Sequence, residues 1–348
     1  GSAWLLQQLA SAARGQGIEV RFAGSTGNLL RRLEIIDLSV QAGDARVDAQ
    51  RLLLAWRPRA LFDRRLHIEA LEIDALRVVP PPPAPDSEPT PPQIPDLALP
   101  LAAQIDRLQL AGVTIVQPGG DVVLDKLALS AALDKRGLRI GDLEFAMPGA
   151  HLGGELGLAG SAPHALQGRL SARIEQRLTG DDIGPVEAVA TLSGTALQPA
   201  FELSLQTPAE LRLHGSLQLE QLQPGFDLSA DWSELDWPPQ GTPLVSAANG
   251  RLHLRGTAED YRLNLQARLQ LPDLPAADLG LQARGDLAGL TLDPLSLQVQ
   301  DGRLQADGDV RWDQGVSWQL ALLAERLNTG LFQPEWPGEI GGRVQLKG

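Results

Sequence analysis

The residues best suited to catalysis in this sequence are five histidines and a few pairs of neighbouring carboxylates. The histidines are His67, His151, His164, His214 and His253. Their spacing does not bring two imidazoles onto one face of one element, so they predict no metal site. Asp181-Asp182, and Glu234 with Asp236, have the residue types of an acid–base pair, but scattered acids are expected in a chain with 43 of them.

Glycine motifs give no better indication of catalysis. The sequence contains no nucleophile elbow, no phosphate-binding loop and no dinucleotide fingerprint. The glycine cluster in residues 153–157 is typical of a turn followed by a strand. We therefore expect the chain not to be an enzyme, and we expect it to hold neither a metal nor a cofactor.

Charge and composition exclude further classes. The net charge of −13 argues against a nucleic-acid partner, because phosphate binding needs a basic face. Residues 1–79 hold 11 Arg and 9 acidic residues, so their net charge is +2 and that of the remainder is −15. A basic start suits a segment near anionic lipid headgroups, although an ordinary solubilising surface explains it equally well. The absence of cysteine excludes disulfides and thiolate metal sites.

Hydrophobic periodicity predicts an all-β protein. Residues 3–14 have the spacing of a short amphipathic helix, after which the pattern changes to period two. The clearest alternations are Leu33 and Ile35, then after a slip Leu38 and Val40, and likewise Leu66 and Ile68, then Leu71 and Ile73. Residues 57–62 interrupt the pattern and favour a helical turn. Such alternation indicates strands with one wet face and one dry face.

The same design recurs to the end of the chain as short leucine strands separated by Gly, Pro or Asp turns. A loose repeat begins at Gly160, Gly194, Gly256 and Gly285, each of which precedes a new leucine strand. The spacing between copies varies, which favours a meander of hairpins over a strict solenoid. We therefore predict an elongated, curled antiparallel sheet.

The predicted organisation has three parts. Residues 1–79 form the helix and first strands, and residues 97–348 continue the sheet as hairpin repeats. Between them, residues 80–96 (PPPPAPDSEPTPPQIPD) are rich in proline, which removes ladder donors and predicts an exposed flexible loop. Gly1-Ser2 is typical of a cloning scar, and no run of about 18 apolar residues is present, so we expect any membrane anchor to lie upstream.

The dry face of such a sheet must be covered, because soluble monomers expose apolar patches of only a few hundred Å². The sheet therefore closes on itself, packs as a sandwich, or curls into a groove filled by something apolar. The alternation alone leaves a closed core and an open groove both possible. The candidate groove residues are Leu252, Leu254, Leu263, Leu265, Leu269, Leu290, Leu292, Leu297, Val299, Leu304, Val310, Leu320 and Leu322.

Several motifs in the C-terminal third resemble the TamB family, the inner-membrane subunit of the translocation and assembly module. In order they are residues 235–238 (LDWP), Leu252-x-Leu254-x-Gly256 with Asp260-Tyr261-x-Leu263, residues 311–318 (RWDQGVSW), 327–329 (LNT) and 334–338 (PEWPG). The first eighty residues are similar to the membrane-proximal start of the wider AsmA-like group. The matching residues there are 27–29 (GNL), Leu52-x-Leu54-x-Trp56-x-Pro58 and Ile68-x-x-Leu71-x-Ile73.

The resemblance implies a trough-shaped sheet with an apolar interior, in a periplasmic protein anchored in the inner membrane by an N-terminal helix. It further implies that this trough conducts phospholipid between the inner and outer membranes, which favours the open groove over the closed core. The family meets its partner TamA through a C-terminal domain. Neither that domain nor the anchor is recognisable in these residues, so no TamA-binding residue is assigned.

Two other functions remain open. The first is a scaffold or chaperone that assembles outer-membrane proteins and autotransporters with TamA, using exposed sheet edges to pair with client strands. The second is a carbohydrate-binding or carbohydrate-active β-protein, which needs an aromatic-lined cleft. The aromatic content of 4% argues against the second.

Overall fold

The computed structural model describes residues 18–81, 101–117, 120–313, 315–331, 335 and 337–348. They form two compact units that divide between Ile174 and Glu175. The expected helix over residues 3–14 and most of the proline-rich stretch lie outside the described residues. Among those described, no helix has the length and apolar character needed to cross a bilayer.

The chain is all-β, as the alternation predicts. The strands of the first unit are β1 (Ile18–Arg21), β2 (Gly24–Asn28), β3 (Arg32–Ala42), β4 (Ala45–Trp56), β5 (Arg65–Val79), β6 (Ala102–Ile115), β7 (Val122–Asp134), β8 (Gly137–Met147), β9 (Ala150–Ala159) and β10 (Leu166–Ile174). A 3₁₀ helix, Pro58–Asp63, joins β4 to β5 where the sequence predicts a helical turn.

The second unit is built in the same way. Its strands are β11 (Val186–Gly194), β12 (Pro199–Thr207), β13 (Leu211–Gln218), β14 (Gly225–Trp232), β15 (Leu235–Trp237), β16 (Val245–Thr257), β17 (Tyr261–Gln270), β18 (Ala277–Gly285), β19 (Gly289–Val299), β20 (Gly302–Arg311), β21 (Ser317–Asn328) and β22 (Glu339–Lys347). The helical elements described in it are α1 (Gln176–Thr179) and a 3₁₀ turn, Thr329–Leu331.

Each unit is a meander in which consecutive strands pair. In the first unit β1 and β2 share one edge of β3, and pairing then runs in order to β10. In the second, pairing runs from β11 to β22, with β14 and β15 sharing one edge of β16. Among the described residues, no pairing joins the first strand of a unit to its last, so each sheet stays open.

One pair of strands departs from the predicted antiparallel arrangement. Strands β5 and β6 are parallel, with Arg65 opposite Ala102 and Val78 opposite Ile115. Parallel neighbours cannot be joined by a tight turn and need a crossover of a dozen residues or more. Residues 80–101 provide that crossover, and the proline-rich stretch belongs to it.

The slips in the sequence alternation are local irregularities of the strands. On β3 the pairing with β4 skips Asp37, whose φ is 51°, and on β5 it skips Ala75, whose φ is 52°. The irregular residues of neighbouring strands lie at the same level of the sheet. The dry face therefore continues from strand to strand, although the spacing of apolar residues along each strand changes there. On β21 the register shifts between Ala324 and Leu327, where one extra residue makes a β-bulge.

One of the repeated glycines shows why the hairpins need this residue. Gly256 is the penultimate residue of β16 and has a φ of 141°. The turn that follows it is closed by a 2.9 Å hydrogen bond from the Thr257 amide to the Asp260 carbonyl. A Cβ at position 256 would lie 2.2 Å from that same carbonyl oxygen. Only glycine therefore fits this turn without strain.

The buried core is thin. Twelve hydrophobic residues among those described are buried, and eight of them are alanines. Leu53, which is 1% exposed, is the one large side chain among them that is fully buried. A single-layer sheet has this property, because most of its apolar side chains stand on a face that no second layer covers.

Candidate functional site

The candidate site is the dry face of the second unit, which we call the leucine face. Residues directly opposite each other in a ladder share one face of the sheet, so the register identifies its members. Leu252 lies opposite Leu265, and Leu265 lies opposite Leu281 on the next strand. Leu281 in turn lies opposite Leu295. An unbroken row of leucines therefore crosses four strands, from β16 to β19.

All thirteen residues predicted from the sequence lie on this one face. Each is opposite another apolar residue or a glycine. Beyond the row just described, the pairs are Leu254 with Leu263, Leu290 with Val310, Leu297 with Leu304, Leu269 and Val299 with Ala277, Leu292 with Ala283, Leu320 with Gly308 and Leu322 with Ala306. Whether lipid contacts these side chains stays a prediction.

The thirteen side chains are neither fully buried nor fully exposed. Between them lie alanines such as Ala277, Ala283 and Ala306, which are buried. Short side chains lie beneath their longer neighbours, while the leucines keep contact with solvent. The helical elements described in this unit, α1 and the turn at Thr329–Leu331, are only four and three residues long. Neither is large enough to cover such a face.

The composition of the leucine face is uniform. From β13 to β22, the residues that the register places on it are leucine, valine, isoleucine, alanine, glycine and a few aromatic residues. No charged side chain interrupts the face along these described strands. Eight interstrand steps of about 4.8 Å from β13 to β22 give it a length of about 38 Å along the sheet.

Tryptophans contribute to this face as well. Trp318 lies opposite Val310, and Trp232 lies opposite Gly250. The indole nitrogen of Trp232 is buried and has no hydrogen-bond partner. Buried indole N–H groups usually find an acceptor, so this nitrogen is an exception.

Several residues of the same face lie outside the thirteen predicted. Leu279 and Leu281 on β18 alternate with Asp278 and Gln282, and this alternation could have identified them. Leu295 is harder to find, because the register between β19 and β20 shifts just before it. The dry positions change there from even to odd numbers along β19. Without the partner strand, the sequence does not show where the face resumes.

The first unit has a matching dry face of its own. One row runs through Ile35, Leu52, Ile73, Leu110 and Leu127, each opposite the next on adjacent strands, and continues to Phe145 and Leu152. The parallel pairing of β5 with β6 keeps this row intact, because it sets Ile73 directly opposite Leu110. Apolar rows across the strands are thus common to both units.

The opposite face of the sheet carries charges arranged as cross-strand pairs. Arg284 donates two hydrogen bonds of 2.8 and 2.9 Å to the Asp260 carboxylate, and these lower the pKa of that carboxyl. Arg51 donates to Glu34 at 2.7 Å and to Asp74 at 2.9 Å. These hydrogen bonds lower the pKa of Glu34 and raise that of Arg51. The pairs are exposed or half-exposed, so each contributes little stability alone.

Two of the histidines belong to this polar pattern. His67 Nε2 lies 2.8 Å from Asp106 Oδ2 across the β5–β6 pair, and His253 Nε2 lies 2.8 Å from Asp227 Oδ1. Each of these imidazoles therefore has a carboxylate partner. Within the described part of the chain, no group of three or more histidines and acids is placed to hold a metal ion.

A polar cavity of about 1260 Å³ lies in the second unit, chiefly against the face opposite the leucines. Its charged lining residues are Glu210, Arg212, Asp231, Arg251, Arg268, Asp278 and Arg303. Arg251 and Asp231 are paired at 2.8 Å, and the nearest charged atoms of Arg268 and Asp278 lie 3.8 Å apart. The sequence does not predict this cavity, because polar residues on separate strands show no pattern that indicates their convergence.

Comparison with known proteins agrees with this architecture. The family model for the TamB N-terminal domain matches residues 1–147 and 81–348. The chain is 28% identical over 201 residues to the translocation and assembly module subunit TamB of Haemophilus influenzae, a match that covers 56% of this chain and 15% of that protein. No solved structure matches the chain. Because the family model covers the chain from end to end, the chain belongs to the TamB family.

Proposed function

We propose that this chain is part of a translocation and assembly module subunit, and that its leucine face conducts phospholipid between the inner and outer membranes. In this proposal the full-length protein lies in the periplasm, is anchored to the inner membrane and has TamA as a partner. Its role is transport and not catalysis. The observation that carries the proposal is the leucine face itself, which is continuous over the strands of the second unit and uncovered by any described element of that unit.

The energetic argument concerns acyl chains in water. Moving an acyl chain into water costs about 0.8 kcal/mol per methylene, or on the order of 10 kcal/mol for one tail. A face of half-exposed leucines offers that tail an apolar surface, and the tail covers leucine atoms that otherwise meet water. Leu265, Leu281 and Leu295 present the same side chain on successive strands. A bound tail therefore moves between nearly equivalent positions and meets no deep trap.

Headgroups need a different environment from tails. The charged pairs Arg251–Asp231 and Arg284–Asp260 belong to the face opposite the leucines. A phospholipid whose tails lie on the leucine face keeps its headgroup in water beyond the leucine ends. The proposal needs no polar side chain on the leucine face to bind the headgroup, so we expect weak selectivity among headgroups.

Fluorescence quenching tests this proposal. The first variant keeps Trp318, which lies on the leucine face, as its one tryptophan. We expect phospholipids with brominated acyl chains to quench its fluorescence, because bromine quenches indole fluorescence on close approach. The matched control moves the indole by one residue, with Trp318→Phe and Gln319→Trp in the same background. Gln319 is exposed and faces away from the leucine face. Equal quenching of the two proteins, or none of either, would contradict the proposal.

A scaffold for outer-membrane protein assembly is the second candidate function, and one observation favours it. The relative that the chain matches is itself named a translocation and assembly module subunit. A scaffold that pairs with client strands needs an exposed sheet edge, whose backbone donors and acceptors bind a strand of another protein. Phospholipid transport needs the leucine face instead, so variants separate the two functions.

A further inference from the structure

One end of the first unit combines exposed apolar side chains with an unusual density of arginine. We call it the arginine end, and it consists of residues 30–32 and 57–65. It contains Phe62, which is 91% exposed, Leu30 at 59% and Leu61 at 42%. Exposed apolar side chains that are grouped together and bordered by charges are typical of an interaction surface. It also contains six of the 11 arginines in residues 1–79, namely Arg31, Arg32, Arg57, Arg59, Arg64 and Arg65.

Strand pairing brings the two segments of the arginine end together. Arg32 begins β3 and lies opposite Ala55, next to the last residue of β4. Strand β5 pairs with the other edge of β4 and extends a few residues beyond its end, to Arg65. The Trp56 indole nitrogen donates to the Leu29 carbonyl at 2.6 Å, and the Trp56 amide donates to the Arg31 carbonyl at 3.1 Å. The turn between β2 and β3 is thus fixed to the end of β4.

Local hydrogen bonds also hold Phe62 at the surface. Within the 3₁₀ helix the Ala60 amide donates to the Arg57 carbonyl at 3.1 Å, and the Arg64 amide donates to the Leu61 carbonyl at 3.0 Å. Arg64 ends the helix in the left-handed conformation with a φ of 53°. Phe62 therefore stands on a turn that is closed at both ends, and its exposure is a built feature of this connection.

The charges at the arginine end are largely uncompensated. Arg57 pairs with Glu69, which lies outside the two segments. Among the described residues, no carboxylate forms an ion pair with Arg59, Arg64 or Arg65. The single acid within the two segments is Asp63. A protein with a net charge of −13 thus keeps a local positive surface at this end.

We infer that the arginine end docks on the surface of a bilayer that contains anionic phospholipid. Arginine guanidinium groups bind phosphate, and each basic residue near an anionic membrane strengthens binding about fivefold. Phe62, Leu30 and Leu61 enter the boundary between headgroups and tails, where amphipathic surfaces bury their apolar side chains. Docking of this end does not depend on phospholipid transport along the leucine face.

Vesicle flotation tests the docking surface with matched variants. The chain is expected to float with vesicles of phosphatidylcholine and phosphatidylglycerol in equal amounts, and not with phosphatidylcholine alone. Replacing Arg59, Arg64 and Arg65 by glutamine should weaken binding about a hundredfold, at about fivefold for each charge. The control replaces three exposed arginines elsewhere in the chain by glutamine, which changes the net charge equally and should leave binding at the parental level. These are Arg169, Arg212 and Arg255.

A second pair of variants isolates the apolar contribution. Phe62→Ser should weaken vesicle binding about tenfold through the lost burial of one ring. Leu287→Ser, which removes another exposed apolar side chain, should have no effect. Membrane docking is overturned if the chain ignores anionic vesicles, or if the two arginine variants bind alike. A third result would also overturn it: the chain forms a dimer that does not bind vesicles, and Phe62→Ser dissociates that dimer. The arginine end would then contact a second copy of the chain and not a membrane.

Discussion

Replacing Leu265 by arginine is expected to slow phospholipid transfer between donor and acceptor vesicles by about a hundredfold. Leu265 lies within the leucine face, opposite Leu252 on one side and Leu281 on the other. An arginine in a hydrocarbon environment costs about 2.5–3.5 kcal/mol, which corresponds to roughly a hundredfold in rate. Since a tail must pass every strand in turn, one interruption suffices to limit the whole path.

The control for Leu265→Arg is Gln266→Arg, which adds the same charge one residue further along β17. Gln266 lies on the opposite face and is exposed. Transfer by this variant should match that of the parent protein. Circular dichroism and urea denaturation of both variants would establish that each is folded. If the two folded variants transfer phospholipid at the same rate, acyl chains do not pass over the leucine face at β17.

Shortening the connection between β5 and β6 is expected to break their parallel pairing. Because these strands run in the same direction, the chain after Val79 must return along the length of β5 to reach Ala102. From Arg65 to Val79 there are fourteen steps of about 3.3 Å each, so the connection must span about 46 Å. Deleting residues 82–95 leaves eight connecting residues, which span at most about 31 Å. Loss of the pair should lower the free energy of unfolding by roughly 3 kcal/mol, from several apolar cross-strand pairs.

The matched control replaces residues 82–95 by a glycine–serine segment of equal length. Its reach is sufficient, so its free energy of unfolding should stay within about 0.5 kcal/mol of the parent if length alone matters. Hydrogen exchange of the β6 amides gives a local readout in the same proteins. A deletion variant with protected β6 amides and parental stability would mean that β5 and β6 are not parallel neighbours.

The sequence predicts the strands well because each carries its own evidence. Alternation identifies the dry positions of β17, where Leu263 and Leu265 are half-buried while Asn264 and Gln266 are exposed. The same local pattern locates the irregularity at Asp37, since a slip in the spacing marks it. The dry face of one strand is a local property, so no partner strand is needed to infer it.

Pairing direction and long-range convergence are not local properties. Nothing in the residues of β5 or β6 indicates that they run in parallel. The strand pattern resumes directly after the proline-rich stretch and favours an insertion in a continuing sheet over a linker, but it does not give the direction of pairing. The polar cavity is also not predictable from local sequence, because its lining residues Arg212 and Arg303 lie on strands far apart in the chain. The arginine end likewise depends on Arg32 and Arg65 beginning strands on either side of β4.

Site-specific photo-crosslinking in the full-length protein in cells tests lipid conduction most directly. A photoreactive residue is placed at Leu265 and, separately, at Gln266, and the adducts are analysed for phospholipid. If the leucine face conducts lipid, Leu265 yields phospholipid adducts and Gln266 does not. Failure of both positions to trap lipid in a folded protein would contradict lipid conduction. In that case, protein adducts formed at either position would place the scaffold function ahead of lipid transport.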